Sequence, residues 1–301
     1  MTYPKRPPML RRSSLTVPLS SDRFLAKAHT RGADTITLDL EDGVAPALKE
    51  AARLRLPDAV AMAGQSGAAV GVRINRPLDL AVRDIEAAVI AGVAYISIAK
   101  VESAQHVRML SELIGALEDR RGLPQGAIGL TVAIETVTAL HRAAEIAAAD
   151  PRLFGIGLGS EDIAADCQMQ PVADALFLPK QLIVFAARAA GIEPYGFIGT
   201  VADYTDLDGL REAVRRARAI GFSGASAIHP DQIPILNEGF SPSDAEVVKA
   251  RSILAANSRA DAEGRGAFAY EGRMIDKPVV DRALALIARA EAIALRTAPR
   301  T

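Results

Sequence analysis

Three carboxylates follow a short apolar segment near the start of the chain. Asp39, Glu41 and Asp42 end the run TITLDLED, which begins at Thr35. Like charges this close repel one another and shift each other's pKa values unless a cation compensates them. Alternation along a strand places Asp39 and Glu41 on one face and Asp42 on the other. This acidic cluster therefore predicts a positive partner, either a metal ion or basic side chains.

Two further carboxylates follow later apolar segments. Glu135 closes IGLTVAIE, and Asp162 follows GIGLGSE. Mg²⁺ takes one or two protein carboxylates and completes its coordination with waters and substrate oxygens. The pair therefore predicts a magnesium site, if the two segments are consecutive strands. A structural interpretation stays open, in which Thr136 and Ser160 cap helices and the acids after Ser160 favour the helix dipole.

Basic and reactive side chains stand at other predicted strand ends. Arg73 lies in VGVRIN, and an inward arginine is costly unless it meets a carboxylate or a substrate anion. It is therefore either a substrate contact or an ion-pair partner of the acidic cluster. His229 in AIHPDQ is either an acid–base group or a hydrogen-bonded residue at the rim. Cys167 has no histidine near it in sequence and is predicted to be a small buried or half-buried residue.

The order of elements predicts how these residues come together. Short apolar segments alternate with helical stretches from Ser14 to Ile228, which gives eight strand–helix units. Strands alternating with helices form a parallel sheet. Eight units favour an α/β fold of the (β/α)8 barrel type, whose active site lies at the carboxyl ends of the strands. Residues 1–240 are then a barrel domain, and residues 241–301 a C-terminal helical extension.

Composition excludes several classes of function. The formal net charge is −1, which offers no electrostatic case for nucleic acid or an anionic membrane. No apolar stretch approaches the roughly 18 residues of a membrane span, and the basic N-terminus lacks the apolar region of a signal peptide. A single cysteine fits a reducing compartment. We therefore expect a cytoplasmic protein that acts on a small molecule.

The chain contains a series of distinctive segments in a fixed order. They are RSSLTVP, GADTITLDLEDGVAP, VRIN, AKVES, AIET, GLGSEDIAAD, GFSGASAIHP and GRMIDKP. Together they resemble the HpcH/HpaI aldolase/citrate lyase superfamily, most closely its citrate lyase β subunits and its malyl-CoA and citramalyl-CoA lyases. The resemblance implies a (β/α)8 barrel whose extension packs on a neighbouring subunit, in a homotrimer or hexamer. It also implies a Mg²⁺-dependent carbon–carbon lyase, with Mn²⁺ as a substitute and a CoA thioester as substrate.

The resemblance also implies roles for the residues of the predicted site. Glu135 and Asp162 match the positions that hold Mg²⁺. Arg73 matches the arginine that faces the thioester oxygen and the substrate. The acidic cluster would hold metal-bound waters and support Arg73.

Three more residues gain a role from the resemblance alone. Asp276 in GRMID matches an acid that the extension delivers into a neighbouring subunit's site, where it would protonate or deprotonate the acetyl carbon. Arg12 and Lys180 match basic positions near the phosphates of the acyl carrier.

The chain also departs from the family pattern. Leu19 stands where relatives mostly have glycine, Thr16 where an aromatic or bulky residue is common, and Ala225 where lysine is usual. The region 193–203 lacks the usual acidic pattern. Losing a glycine and a cation weakens a binding site for phosphate groups. These departures therefore leave open whether the acyl carrier is CoA, whereas the predicted metal ligands are all present.

Three functions remain open from the sequence. The favoured one is a lyase that cleaves a 3-hydroxy-3-carboxyacyl thioester, such as malyl-CoA or citramalyl-CoA, into an acyl thioester and a 2-keto acid. The second is a metal-dependent aldolase acting on a free hydroxy-keto acid, but the histidine usual in that branch does not follow LDLED. The third is a catalytically silent binding barrel, which the set Glu135, Asp162, Arg73 and Asp276 disfavours.

Overall fold

Eight parallel strands form the centre of the computed structural model, which describes residues 9–200 and 204–297. Hydrogen bonds connect them in the order β7-β6-β5-β4-β3-β2-β1-β8. Tyr195 bridges to Gly224, so the two outer strands of that order also meet and the ring closes. The predicted (β/α)8 barrel is confirmed. The strands are β1 (Ser13–Pro18), β2 (Thr35–Asp39), β3 (Ala69–Ile74), β4 (Val93–Ile98), β5 (Gly129–Ile134), β6 (Leu153–Leu158), β7 (Glu193–Tyr195) and β8 (Ala225–Ala227).

Helices follow the strands and cover the outside of the barrel. The amphipathic stretches 46–63 and 136–149 each predict a single helix, but the structure divides both. The first divides because Pro57, which lacks an N–H, stands in the first turn of a new helix. No helix in the described part of the chain is long and apolar enough to cross a membrane. The helices are α1 (Asp22–Ala28), α2 (Lys49–Leu54), α3 (Leu56–Ala63), α4 (Leu78–Ala88), α5 (Ala104–Arg121), α6 (Val137–His141), α7 (Ala143–Ala147), α8 (Ser160–Asp166), α9 (Ala173–Ala190), α10 (Leu207–Ala219) and α11 (Gln232–Gly239).

The seventh strand is shorter than predicted. β7 ends at Tyr195, whereas the apolar pattern predicts a strand over 195–201, whose last residue lies outside the described residues. Gly196 and Gly199 have φ angles of 152° and 146°, which other residues rarely adopt. The chain therefore leaves the sheet early and forms a loop beside the barrel mouth.

Aliphatic side chains on alternate strand positions form the core between sheet and helices. Each fully buried aliphatic side chain stabilises the fold by about 1.5–3 kcal/mol. The other strand face lines the barrel and is made largely of small and hydroxyl-bearing residues around two tyrosines. The outward core positions include Ile36, Leu38, Val70, Val72, Ile96, Ile98, Leu130, Val132 and Ile156.

Two glycines make room for the tyrosines inside the barrel. A Cβ atom at Gly71 would stand 2.2 Å from the Tyr95 ring, and one at Gly155 would stand 2.2 Å from the Tyr195 ring. The Tyr95 hydroxyl is hydrogen-bonded to the Thr37 hydroxyl at 2.7 Å. The rings thus fill part of the interior, and a cavity remains at the carboxyl ends of the strands.

A second compact unit begins at Ser241, and the first ends at Phe240. It contains α12 (Asp244–Ala262), the antiparallel hairpin β9 (Phe268–Tyr270) and β10 (Arg273–Ile275), and α13 (Lys277–Thr297). Ser243 and Glu246 form a capping box at the start of α12.

The hairpin turn of this unit consists of two residues with positive φ. Glu271 has a φ of 49° and Gly272 a φ of 72°, the pattern of the two-residue turns that match strand twist. The glycine-rich segment is therefore an ordered hairpin. It packs Phe268 and Ile275 against Ile253 and Ala283 in a small apolar core.

Candidate active site

Four of the predicted site residues line one cavity of about 280 Å³ inside the barrel: Arg73, Glu135, Asp162 and Lys180. Arg73 lies in β3, Glu135 directly follows β5, and Asp162 lies in the first turn of α8, after β6. Because parallel strands end at the same face of a barrel, three distant segments deliver their side chains to one place.

Glu135 and Asp162 approach each other across Gly159. A Cβ atom at Gly159 would stand 2.7 Å from Glu135 Cγ and 3.1 Å from Asp162 Oδ2. Burial, and then repulsion by Asp162 and Glu41, raises the pKa of Glu135 to about 7. The two carboxylates of this pair thus lie close together with too little positive charge to compensate them.

The capping interpretation of these segments holds in part. Thr136 accepts a hydrogen bond from the Ala139 N–H at 3.2 Å and caps α6. Ser160 does not cap α8, because it is the first helical residue and donates its hydroxyl to the Gly199 carbonyl at 2.8 Å. The cap at Thr136 does not involve the Glu135 carboxylate, so the cap does not account for Glu135.

The acidic cluster is neutralised by basic side chains of the same chain. Asp39 and Arg73 are register partners on β2 and β3. Arg73 Nε and Nη2 each donate to one oxygen of Asp39 at 2.7 Å, and Nη1 lies 3.1 Å from Glu41. Burial would lower the pKa of Arg73, but these two carboxylates raise it well above its usual value. The two bonds to Asp39 use two of the five arginine N–H donors, which leaves donors for a ligand in the cavity.

Lys100 completes this neutralisation. Its Nζ donates to Glu41 at 2.5 Å and to Asp42 at 2.8 Å. Although burial alone would lower the pKa of Lys100, these two bonds raise it well above its ordinary range. Strand β2 ends at Asp39, so side-chain alternation does not continue and one lysine contacts Glu41 and Asp42 together. Of the two partners predicted for the cluster, the structure shows basic side chains.

The arrangement distinguishes two kinds of acid. The acidic cluster already has Arg73 and Lys100, whereas burial, and then the neighbouring Asp162 and Glu41, raise the pKa of Glu135. Among the described residues no group of three or more His, Cys, Asp or Glu side chains could hold a metal ion. Two carboxylates with room for waters and substrate oxygens are the donor set that suits Mg²⁺.

Lys180 and Arg12 have different surroundings. Lys180 is buried in α9, where its Nζ donates to the Gly199 carbonyl at 3.3 Å, and burial lowers its pKa to about 7. Arg12 does not line the cavity. Both it and Asp34 precede their strands, at the opposite end of the barrel, and Arg12 Nε and Nη2 donate to the Asp34 carboxylate at 2.8 Å. The expected contact of Arg12 with a carrier phosphate does not fit this buried ion pair.

Asp276 lies in the second unit. It directly precedes α13 and is half-buried, and its carbonyl accepts from the N–H groups of Val279 and Val280 at 3.0 and 3.1 Å. Asp276 therefore stands at the N-terminus of α13, where a negative side chain is favoured.

Two other predicted candidates lie outside the cavity. His229 is partly exposed at the barrel rim, and its ring stacks on Tyr204 with centroids 5.1 Å apart. Cys167 is exposed, so the prediction of a buried or half-buried cysteine is wrong.

Sequence reasoning missed Arg11, which lines the cavity. It chose the neighbouring Arg12, which would share a face with Ser14 and Thr16 if the chain were fully extended. The backbone bends at Arg12 before β1 begins, which changes the phase of the alternation and turns Arg11 inward. The only feature of the sequence that could have indicated Arg11 is the pair of consecutive arginines before an apolar strand.

Comparisons with known proteins agree with this geometry. The pattern of the HpcH/HpaI aldolase/citrate lyase family matches residues 12–230. The chain belongs to this family. It is 35% identical to the citrate lyase subunit beta of Leuconostoc mesenteroides subsp. cremoris, over 91% of each chain. It is also 35% identical to the L-malyl-CoA/beta-methylmalyl-CoA lyase of Rhodobacter capsulatus, over 96% of this chain and 98% of that one.

A solved structure of a family member resembles the whole chain. It is the protein CitE of Mycobacterium tuberculosis in complex with magnesium, acetoacetate and coenzyme A. It is 35% identical, superposes with a TM-score of 0.70, and covers 93% of this chain and 97% of its own. Within the family, the curated relatives are lyases, and this chain is a carbon–carbon lyase.

Proposed function

We propose that the chain is a Mg²⁺-dependent lyase that cleaves or forms a 3-hydroxy-3-carboxyacyl thioester, of the malyl-CoA or citramalyl-CoA type, yielding an acyl thioester and a 2-keto acid. The observation that carries the proposal is the uncompensated pair Glu135 and Asp162 beside Arg73 in one cavity. Citrate lyase β subunits and malyl-CoA lyases as relatives, and a CitE complex containing magnesium and coenzyme A, support the substrate class.

Glu135 and Asp162 would hold the metal ion, with Mn²⁺ as a substitute. When bound, Mg²⁺ supplies Lewis-acid polarisation of the substrate oxygens. The Glu135 carboxylate must be ionised to bind a cation. The metal ion would then supply the positive charge that neighbouring basic side chains do not supply to Glu135. The acidic cluster stays with Arg73 and Lys100 and holds the Arg73 guanidinium in place beside the cavity.

Arg73 acts on the anionic part of the reaction. Its guanidinium is anchored by Asp39 and faces the cavity with unused N–H donors. Breaking the carbon–carbon bond leaves negative charge on the thioester oxygen of the acyl fragment. A fixed cationic donor stabilises that charge without reorganising during the reaction.

Asp276 is the proposed acid–base residue for the acetyl carbon. In cleavage the enolate carbon takes a proton from it, and in condensation the same carboxylate removes that proton. The extension would deliver this group to the site of a neighbouring subunit in a homotrimer or hexamer. Lys180 would stand on the acyl-carrier side of the cavity.

Turnover of defined thioesters tests the proposal. The protein is incubated with Mg²⁺ and malyl-CoA or citramalyl-CoA, and acetyl-CoA is assayed together with glyoxylate or pyruvate. We expect turnover that EDTA abolishes and that Glu135→Gln or Asp162→Asn removes while the fold is retained. Asp174→Asn, an exposed carboxylate at the start of α9, is the matched control and should keep full activity.

Two outcomes would replace the proposal. Turnover of a free hydroxy-keto acid but of no thioester would show the metal-dependent aldolase instead. Normal Mg²⁺ binding in both Glu135→Gln and Asp162→Asn, measured by calorimetry, would show that the ligands lie elsewhere.

A further inference from the structure

Arg11 differs from the other buried arginines of the described chain. It is only 6% exposed, yet no carboxylate among the described residues forms an ion pair with it. A buried cation without a counter-charge costs free energy. The charge of Arg11 inside the barrel is therefore uncompensated by these residues. Three other buried arginines each lie within 2.8 Å of a buried carboxylate, in the pairs Arg12–Asp34, Arg53–Asp84 and Arg152–Glu118.

The direct contacts of Arg11 hold its side chain in place without supplying a negative charge. Nη2 donates to the Ser226 hydroxyl at 3.3 Å. The guanidinium lies over the rings of Tyr195 and Tyr95, 4.5 and 5.7 Å from their centroids. These ring faces attract the cation, but they lie above its plane, whereas its N–H groups point along that plane. Nε is buried and has no hydrogen-bond partner in the described structure.

The Thr131 hydroxyl is a second buried group without a hydrogen-bond partner among the described residues. Thr131 and Gly155 are register partners on β5 and β6, and the Tyr195 ring lies over Gly155. Arg11 stacks on the same ring, so Arg11 and Thr131 flank Tyr195, and both line the cavity. Buried polar groups are normally hydrogen-bonded. An unpartnered guanidinium N–H and an unpartnered hydroxyl beside one space therefore indicate that a hydrogen-bond acceptor occupies it.

This space, the floor of the cavity beside Arg11 and Thr131, is separate from the proposed metal site. Thr131 precedes Glu135 by four residues along β5 and its end, which is about 13 Å of extended chain. Arg11 precedes β1, at the opposite end of the barrel from Glu135 and Asp162. A small ligand on the floor therefore has a place of its own.

The charges around the cavity select a monovalent anion. Arg73 is already paired with Asp39 and Glu41. Burial lowers the pKa of Lys180 to about 7, so Lys180 loses its charge above neutral pH. Arg11 then carries the single uncompensated positive charge among the described residues that line the cavity. One positive charge is balanced by one negative charge, whereas a phosphate would bring a second charge into the barrel without a partner.

We propose that the floor of the cavity, beside Arg11 and Thr131, binds a small monovalent inorganic anion of the chloride type. The anion accepts from Nε of Arg11 and from the Thr131 hydroxyl, and it compensates the buried charge. It stabilises the folded protein, because the unfolded chain has no such site. The site requires neither the metal ion nor a thioester, so this inference does not rest on the proposed function.

Urea unfolding at pH 8 in EDTA tests the site with chloride as the probe. Sodium chloride replaces sodium gluconate at constant ionic strength, so that screening stays equal while a bulky anion is exchanged for a small one. We expect saturable stabilisation, in which chloride at ten times its dissociation constant raises the equilibrium constant for folding about elevenfold. Crystals soaked in bromide should show the anomalous signal of the anion beside Arg11 and Thr131.

Three variants locate the effect. Arg11→Gln removes the charge and should abolish the response to chloride. Thr131→Val removes only an unpartnered hydroxyl and should weaken chloride binding roughly fivefold, the effect of one hydrogen bond, so it keeps the test decisive if Arg11→Gln does not fold. Thr37→Val is the matched control and should keep the response. Its hydroxyl lines the same cavity but is already bonded to those of Tyr95 and Ser14, at 2.7 and 2.8 Å.

Several results would overturn the anion site. Equal stability in chloride and in gluconate would do so, as would an equal chloride response in the wild type and in Thr131→Val. Absence of a bromide signal beside Arg11 would show that the floor holds water. A bromide signal without saturable stabilisation in solution would show an adventitious ion only. None of these results bears on the proposed function, whose test is Mg²⁺-dependent turnover.

Discussion

The carboxylates of Glu135 and Asp162 both lie against Gly159, the residue that joins β6 to α8. Glu135 Cγ and Asp162 Oδ2 lie 2.7 and 3.1 Å from the position that a Gly159 Cβ would occupy. Among the described residues, neither acid has a basic partner as close as those of Asp39 and Glu41. The pair stores electrostatic repulsion that a bound cation would relieve.

Glu135→Gln should stabilise the metal-free protein at high pH. The folded protein holds the pKa of Glu135 at about 7, above the ordinary glutamate value of 4.5. Between these values the folded state binds the proton that the unfolded state has lost, so stability falls as pH rises from about 4.5 to 7. Above pH 7 the full penalty remains, and the variant should gain roughly 3 kcal/mol.

Urea unfolding in EDTA at pH 5 and pH 8 measures this effect. The gain should be about four times larger at pH 8 than at pH 5, where the penalty has only begun to develop. Glu145→Gln on the exposed face of α7 is the control and should change stability little at either pH. An equal gain at both values would contradict the electrostatic explanation.

Gly159→Ala should weaken Mg²⁺ binding without unfolding the protein. The backbone at Gly159, with φ of −72° and ψ of 108°, is open to any residue, but the methyl group would displace Glu135. We expect the dissociation constant for Mg²⁺ to rise about tenfold, the effect of a 1.4 kcal/mol loss. Calorimetric titration with Mg²⁺ measures the dissociation constant. Gly266→Ala is the control, because a Cβ atom at Gly266 meets no atom within 4 Å. Unchanged binding in Gly159→Ala would mean that the pair is not the metal site.

Arg73→Lys and Arg73→Met should separate the structural role of Arg73 from its proposed catalytic role. Either substitution removes the bidentate contact, and we expect turnover to fall roughly 10²–10³-fold in both. Arg73→Met also leaves buried Asp39 without its cation, which should cost about 2 kcal/mol of stability. Arg73→Lys keeps a charge and should lose less. Steady-state kinetics and urea unfolding of the same samples provide the comparison, and near-normal turnover in Arg73→Lys would show that only charge matters.

Lys180→Met should stabilise the protein most at mildly acid pH. Burial lowers the pKa of Lys180 to about 7 in the folded state, while the unfolded value stays near 10.5. Between these values the unfolded state binds the proton that the folded state lacks, so wild-type stability rises with pH up to about 10.5. The difference between variant and wild type should therefore shrink between pH 6 and pH 10. Thermal unfolding of both proteins across that pH range measures the difference in stability. A difference that stayed constant with pH would refute the explanation by the buried charge of Lys180.

Local pattern was sufficient to predict the scaffold. Apolar runs such as TITLD alternate with amphipathic stretches, and this alternation depends only on neighbouring residues. It predicts eight parallel strands, a barrel and the face at which the strands end, all of which the structure shows. The limits of that reasoning lie at Pro57 and Gly196, where backbone chemistry ends elements that the apolar pattern alone would continue.

The sequence by itself therefore determined the family, the barrel and the set of acids at its mouth. Only the tertiary structure decided their partners, because charge compensation depends on contacts between distant segments. The β2–β3 register pairs Asp39 with Arg73, and Lys100 forms an ion pair with Glu41 from the end of β4. Glu135 and Asp162 therefore lie beside each other without either of these cations as an ion-pair partner. A single bend before β1 likewise places Arg11, and not Arg12, inside the cavity, which no pattern of neighbouring residues records.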